Sequence, residues 1–196
     1  MFLKLEEVHK EFAGKPAVNR LSLGIPRGVL YGIIGPNGAG KTTTIRMIMN
    51  IIAPDSGRIL FDGSEVDSGF RNRVGYLPEE RGLYKKMSLR EVVTYMADLK
   101  GQPSKQTASQ IDPWLERMGL QDYRDKKVEE LSKGMAQKLQ FITTIIHDPD
   151  IIILDELFSG LDPVNIELIK GILLDLKRAG KTVLFSTHVM EQAEKL

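Results

Sequence analysis

Two hydrophobic periods divide this chain. Over the first 27 residues apolar positions tend to alternate with others. Leu3 and Leu5 interleave with Phe2, Lys4 and Glu6, and Leu21, Leu23 and Ile25 interleave with Ser22 and Gly24. Period two predicts half-buried strands, antiparallel and joined through the turn-like "FAGKP". "GVLYGII" is a continuous apolar run, which predicts a strand buried on both faces. The period then changes. Ile45, Ile48, Met49 and Ile52 fall at i, i+3, i+4 and i+7, so a helix is expected there, ended by Pro54. "DSGRILFDGSEV" reads as turn, strand, turn, with Asp62-Gly63 as a hairpin signal.

The middle of the chain is helical by pattern. "SLRE" (Ser88–Glu91) matches a capping box, with Val92, Val93, Met96 and Leu99 on one face and Gly101 as the stop. "GQPSKQTASQ" is polar and expected to be exposed. Asp112-Pro113 then reads as an N-cap and first-turn proline that open a short helix to Met118, before Gly119. A further helix starts near Met135 and carries Leu139, Ile142 and Ile146 on one side. Strand, helix and strand return in "DIIILDE", the stretch from Asp162-Pro163 to about Arg178, and "TVLFS"; "THVMEQAEKL" begins a last helix. The order predicts an α/β fold: a core from residues 1–80 and 148–196, with a helical part over 81–147. There is no internal repeat and no low-complexity segment.

Composition narrows the classes. The 196 residues carry a net charge of +1, which gives no reason to expect nucleic acid or an anionic membrane surface as partner. The absence of cysteine excludes disulfides, thiolate catalysis and Cys-based zinc sites. The N-terminus alternates and carries acids, unlike a signal peptide. No apolar run approaches the roughly 18–20 residues of a membrane span. Any work on membrane transport would need a channel from another chain.

The candidate chemistry sits in "GPNGAGKTTT", between the apolar run and the first helix. Gly35-x-x-x-x-Gly40-Lys41-Thr42 is a full Walker A pattern with strand before and helix after. Glycines such as Gly35, Gly38 and Gly40, with the small Ala39 between, let successive N–H groups turn inward as a nest for anionic oxygens. The helix starting near Lys41 directs its positive end at the same place. Lys41 would reach the β- and γ-phosphates, the Thr42 hydroxyl would ligate Mg²⁺, and Asn37 and Thr43 complete the nucleotide-facing loop. The bland alternative is a glycine-rich strand-to-helix turn. "IIILDE" supplies a second half: Asp155 at the strand end for Mg²⁺, and Glu156 as general base toward water. Alone, a buried strand ending in acids is a weak signal. Beside Walker A it is a strong one.

Other motifs resemble one family, the ATP-binding cassette (ABC) ATPases, in order and along essentially the whole chain. "LSKGMAQ" (Leu131–Gln137) resembles the family's signature motif, "SGLD" (Ser159–Asp162) its D-loop, and His188 in "STH" its switch histidine. Phe12 stands where the family places an aromatic under adenine. The resemblance implies a P-loop NTPase (RecA-like) core with an N-terminal antiparallel β subdomain and an inserted α-helical subdomain. It implies that Ser132 and Gly134 face the nucleotide of a second copy, that Asp162 lies at the same interface, and that His188 meets the γ-phosphate. Each residue also has a plainer reading: Ser132 and Asp162 as helix N-caps, His188 as a surface histidine, Phe12 as core. Three departures stand out. Glu79 replaces the glutamine that usually bridges metal and water, and would ligate Mg²⁺ while adding charge beside the phosphates. Leu157 stands in place of a frequent proline. Lys133 and Met135 alter the signature's commonest spelling. The Met set (Met47, Met49, Met96, Met118) and Trp114 read as packing, Lys85-Lys86 and Lys126-Lys127 as solvated surface, and His9 and His147 lack a companion at metal-ligand spacing.

The resemblance thus implies an ATP- and Mg²⁺-dependent ATPase that works with a membrane permease on a separate chain and with a second ATP-binding subunit. Its place would be cytoplasmic, peripheral on the inner face of the membrane. "YLPEERGLY" and "LSKGMAQKLQF" look most like exporters of the ABC-2 type, and residues near "ERGLYKKM" are expected to face the permease. Two alternatives remain: a non-transport ABC ATPase acting on ribosome or DNA, and a regulatory module without turnover, against which Glu156 argues. Family members usually continue beyond "EQAEKL", so a further C-terminal region is expected.

Overall fold

The structure, a computed structural model, describes residues 1–66, 69–79 and 82–194. The period-two segments form β1 (Leu3–Phe12) and β2 (Lys15–Ile25), an antiparallel pair closed by Ala13 and Gly14 in left-handed conformations. β4 (Ser56–Phe61) pairs with β1 and with the short β5 (Ser64–Glu65). The hairpin between them turns on Asp62 and Gly63, both at positive φ as a type I′ turn requires. This antiparallel sheet has the order β2-β1-β4-β5.

The second sheet is parallel. It has the order β3-β8-β7-β6, from β3 (Leu30–Ile34), β6 (Val74–Leu77), β7 (Ile151–Leu154) and β8 (Thr182–Thr187). β7 and β8 are central and wholly buried, and their alternate residues face opposite clusters. Ile151, Ile153 and Leu184 join a core with the antiparallel sheet and α1 (Lys41–Ile48). Ile152, Leu154, Val183 and Phe185 join a core with α3 (Leu89–Leu99), α4 (Ser104–Arg117), α5 (Lys133–Ile145) and α6 (Pro163–Arg178). That two-sided burial is why "IIIL" is apolar at every position. The short α2 (Phe70–Arg73) precedes β6, and α7 (Met190–Glu194) follows β8. The architecture is the α/β one expected, with α3, α4 and α5 running between β6 and β7.

Four local expectations need correction. β3 lies at the edge of its sheet, so its residues are only half-buried and Ile34 is exposed. Helix α1 stops at Ile48, before Pro54: Asn50 at φ 52° lets the Asn50 and Ile51 N–H groups close back on Met47 and Arg46 carbonyls. That paired closure is a Schellman motif, and it acts before proline is reached. Leu99 is 60% exposed although it continues the α3 stripe, whose buried face ends at Ala97. Helix α4 begins at Ser104, so Asp112-Pro113 lies inside it and not at its start. Thr107, Ile111 and Leu115 are its buried stripe, and their packing outweighs the proline signal. The capping box, the N-caps and the glycine stops agree with the structure where tertiary contacts favour them. Ser88 and Glu91 bond reciprocally, Ser132 caps α5, and Asp162 caps α6 with Pro163 in the first turn.

Candidate functional site

The loop between β3 and α1 is shaped by its glycines. Gly40 caps the helix at φ 84°, and a Cβ there would stand 2.2 Å from the Ala17 carbonyl oxygen. Only glycine fits so close to β2. Gly38 is also left-handed, at φ 81°. Lys41 opens α1 and is buried; its Nζ donates to the carbonyls of Gly35 at 2.8 Å and Pro36 at 3.1 Å. Thr44 Oγ1 donates to the Gly40 carbonyl and tightens the first turn.

A cleft of about 380 Å³ opens over this loop. Asn37, Gly38, Gly40, Lys41, Thr42 and Thr43 line it from the loop and the start of α1, together with Glu79 and Glu156. Glu156 arrives from the end of β7 with φ 50°, a left-handed conformation that costs a non-glycine residue energy and must be held from outside. Ser186 at the end of β8 helps to hold it. The Glu156 N–H donates to Ser186 Oγ at 2.9 Å, and the Ser186 hydroxyl donates to Asp155 Oδ1 at 2.5 Å. One buried hydroxyl therefore positions both acids. The Glu156 carboxylate lies between two partners: Lys41 Nζ is 3.3 Å from one oxygen and His188 Nδ1 is 2.8 Å from the other. A carboxylate so placed can take a proton from a water in the cleft while the imidazole steadies its second oxygen.

Of the sequence candidates, Asn37, Gly38, Gly40, Lys41, Thr42, Thr43, Glu79 and Glu156 share the cleft. His188 joins through Glu156, Gly35 through Lys41, and Ala39 by its place in the loop. Asp155 is fully buried behind Ser186 and does not line the cleft. Its Oδ2 has no hydrogen-bond partner among the described residues, and the carboxylate raises the proton affinity of the neighbouring Tyr76 phenol, which burial raises first. Phe12 is half exposed, which removes the core reading, and it stands apart from the cleft with Lys10 over its ring. Ser132, Gly134 and Asp162 also lie outside the cleft, Ser132 and Asp162 exposed and Gly134 half-buried. Ser186 was not legible beforehand: a serine in "TVLFST" has no spacing that marks it, and only the parallel pairing of β7 and β8 puts it beside the acids.

The described residues contain no group of three His, Cys, Asp or Glu side chains able to cage a metal. The oxygen donors lining the cleft are the Thr42 and Thr43 hydroxyls, the Asn37 amide and the Glu79 and Glu156 carboxylates, with the orphaned Asp155 oxygen buried outside it. That set suits a small hard cation whose remaining ligands are phosphate and water oxygens, as Mg²⁺ prefers.

Comparison with known proteins agrees with this arrangement. The family model described as ABC transporter matches residues 18–159. An uncharacterized ABC transporter ATP-binding protein, YhaQ of Bacillus subtilis (strain 168), is 48% identical over 194 residues, covering 99% of this chain and 65% of its own. The Nod factor export ATP-binding protein I of Paraburkholderia xenovorans (strain LB400) is 38% identical over 197 residues, with the same two coverages. The chain thus spans 65% of the length of each of these relatives. A solved structure of an ATP-binding subunit of an ABC transporter superposes with a TM-score of 0.91 at 28% identity, over 100% of this chain and 82% of its own. Walker A loop, acidic strand end, fold and relatives all converge, and the chain belongs to the ABC transporter ATP-binding family.

Proposed function

We propose that the chain is the ATP-hydrolysing part of an ABC transporter subunit that drives export, of the ABC-2 type, through a membrane permease on a separate chain. One observation carries the hydrolytic half of this reading: the Glu156 carboxylate is fixed in the phosphate-loop cleft between Lys41 and His188. With ATP in the cleft, the loop N–H groups and Lys41 hold the β- and γ-phosphates. Thr42 and Glu79, with Asp155 behind them, would hold Mg²⁺, which when bound neutralises phosphate charge. Glu156 accepts a proton from the water that attacks the γ-phosphorus, and ADP leaves. His188 keeps the second carboxylate oxygen engaged, and the first, released by Lys41 as that side chain turns to the phosphates, takes the proton.

Export is supported by the name of the Nod factor relative and by the wording of the signature segment. A permease partner is supported by a mostly apolar groove of about 420 Å³ lined by Met49, Ile51, Leu83, Met96 and Leu99. Ile51 and Leu99 are more than half exposed there, an arrangement that suits a covered surface. Part of the "ERGLYKKM" segment borders this groove; Glu80 and Arg81 lie outside the described residues. The exposed positions of Ser132 and Asp162, with Gly134 half-buried beside Ser132, suit contacts made by a second ATP-binding subunit across a shared interface, and the half-exposed Phe12 can stack on adenine. The place of work would then be the inner face of the membrane.

The test is Glu156→Gln, which keeps shape and removes the base. Turnover is expected to fall by at least about 100-fold, the usual worth of a general base. ATP binding should persist, and light scattering should show a dimer only with Mg-ATP. Turnover near the wild-type rate would overturn the role of Glu156. A variant that binds ATP yet stays monomeric, in this chain and in the longer protein, would overturn the dimer. The export reading fails if no permease-type protein copurifies with the full-length protein from membranes.

A further inference from the structure

We infer that Gln137 is a positioning residue for the reaction at Glu156, acting through Ser159, so that the first turns of α5 set the geometry of the catalytic acid. The inference rests on the ATPase reading above and adds a residue to it.

Gln137 lies on α5, five residues after Ser132, and is 7% exposed. Its Nε2 donates to the Ser159 carbonyl at 2.7 Å, across 22 residues of sequence. Ser159 in turn donates its N–H to the Glu156 carbonyl at 3.1 Å, and Leu161 donates to Phe158 at 3.3 Å. The left-handed Glu156 is therefore held from two sides: Ser186 takes its N–H, and the Ser159 turn takes its carbonyl. Gln137 anchors the far end of that turn. Lys133, one helical turn earlier on the same face, reaches the same segment. A Cβ on Gly160, which sits at φ 77°, would stand 3.5 Å from both Gln137 Nε2 and Lys133 Nζ. Two side chains of α5 thus close over Ser159 and Gly160.

The chemistry argues that this contact is more than filler. The Gln137 Oε1 is buried with no hydrogen-bond partner among the described residues, so the amide is desolvated for one bond only. An apolar side chain of the same length would fill the volume without an orphaned acceptor. What only the amide supplies is a fixed donor to the Ser159 carbonyl. Any shift of the Ser132 turn then reaches the Glu156 backbone through two hydrogen bonds.

Two variants test this on the 196-residue chain. Gln137→Met keeps length and removes the donor. Its kcat is expected to fall about tenfold with KM for ATP within about twofold, the split of an interaction made at the chemical step. Amide hydrogen exchange at Ser159 and Leu161 should quicken while the buried strands β7 and β8 keep their protection. Gln137→Glu places a carboxylate against the Ser159 carbonyl. Ionised, it lacks the donor; protonated, it regains one. Its activity relative to wild type should therefore rise as pH falls from 8 to 6, a response that mere packing does not produce. Unchanged kcat and exchange in Gln137→Met, or a flat pH ratio in Gln137→Glu, overturns the inference. A wild type with no turnover, in this chain and in the longer protein, overturns the ATPase reading beneath it, and is told apart because a failed inference shows a working wild type with indifferent variants.

Discussion

Glu79 and Glu156 line one cleft, so two carboxylates share a site shaped for phosphate. Their mutual repulsion is offset best by a bound cation, and a carboxylate is a stronger ligand for a hard ion than the amide it replaces. The Mg²⁺ concentration that half-saturates ATPase activity is therefore expected to rise several-fold in Glu79→Gln, with little change in the ATP-saturated rate. Superimposable Mg²⁺ titrations of the two proteins would sink this. Residue by residue, the site was legible where backbone chemistry demands a particular type. Gly40 is such a case, because a side chain would collide with the Ala17 carbonyl. Ser186 and Gln137 were not legible. Their role is a single hydrogen bond to a group far away in sequence, and neither residue type announces that.

Among the elements, α4 offers the clearest conflict between local rule and tertiary context. Pro113 sits in its interior, exposed, where it lacks the N–H that would bond the Ser109 carbonyl. The buried stripe Ile111, Leu115 and Met118 holds the helix against this cost. Pro113→Ala removes no core atoms and restores the bond. It should stabilise the chain by about 1–3 kcal/mol, read as a shift in the urea midpoint with an unchanged slope. A neutral or destabilising result would mean that the ring packs usefully where it stands. The capping box of α3, the Asp162 cap of α6 and the glycine stops at Gly101 and Gly180 could be read in advance because the groups that bond lie within five residues of each other. The start of α4 could not, since Pro103 supplies no side-chain cap and the signal is only the burial of its apolar face.

At the scale of the whole molecule, the junction between the helices and the parallel sheet closes on the Val74 carbonyl. His147, after α5, approaches it with Nε2 at 3.1 Å, and Lys100, after α3, donates to it at 3.3 Å. Burial lowers the His147 pKa from 6.5 to about 4. The Val74 carbonyl and Asp148 oppose the shift, and Lys100 and Lys181 add to it. The unfolded chain therefore binds the extra proton first. Stability from this group is complete above pH 6.5 and is lost as pH falls through 6.5 toward 4, by about 2–3 kcal/mol. Carboxylates held low by ion pairs, such as Asp55 beside Lys10 and Asp62 beside Arg27, lose their contribution only below the ordinary carboxylate range. The window between pH 6.5 and 4.5 thus isolates His147. Urea unfolding at these two pH values should show a drop in wild type that His147→Asn largely removes. Equal slopes against pH in both proteins would refute the assignment.

What the sequence determined by itself is everything governed by short range. The alternation of β1 and β2, the glycine loop ahead of Lys41, the two acids ending "IIIL" and the helix caps depend on neighbours within a few residues. Backbone conformation and local hydrogen bonds are decided at that distance. The tertiary structure alone decided which of these pieces meet. It paired β7 with β8 in parallel, and so brought His188 and Ser186 to the two acids. It left β3 at an edge and Leu99 in solvent, against their apolar patterns. It also seated α5 over Ser159 through Gln137. Such contacts span tens of residues, and their selection belongs to packing of the whole core, which no local window contains.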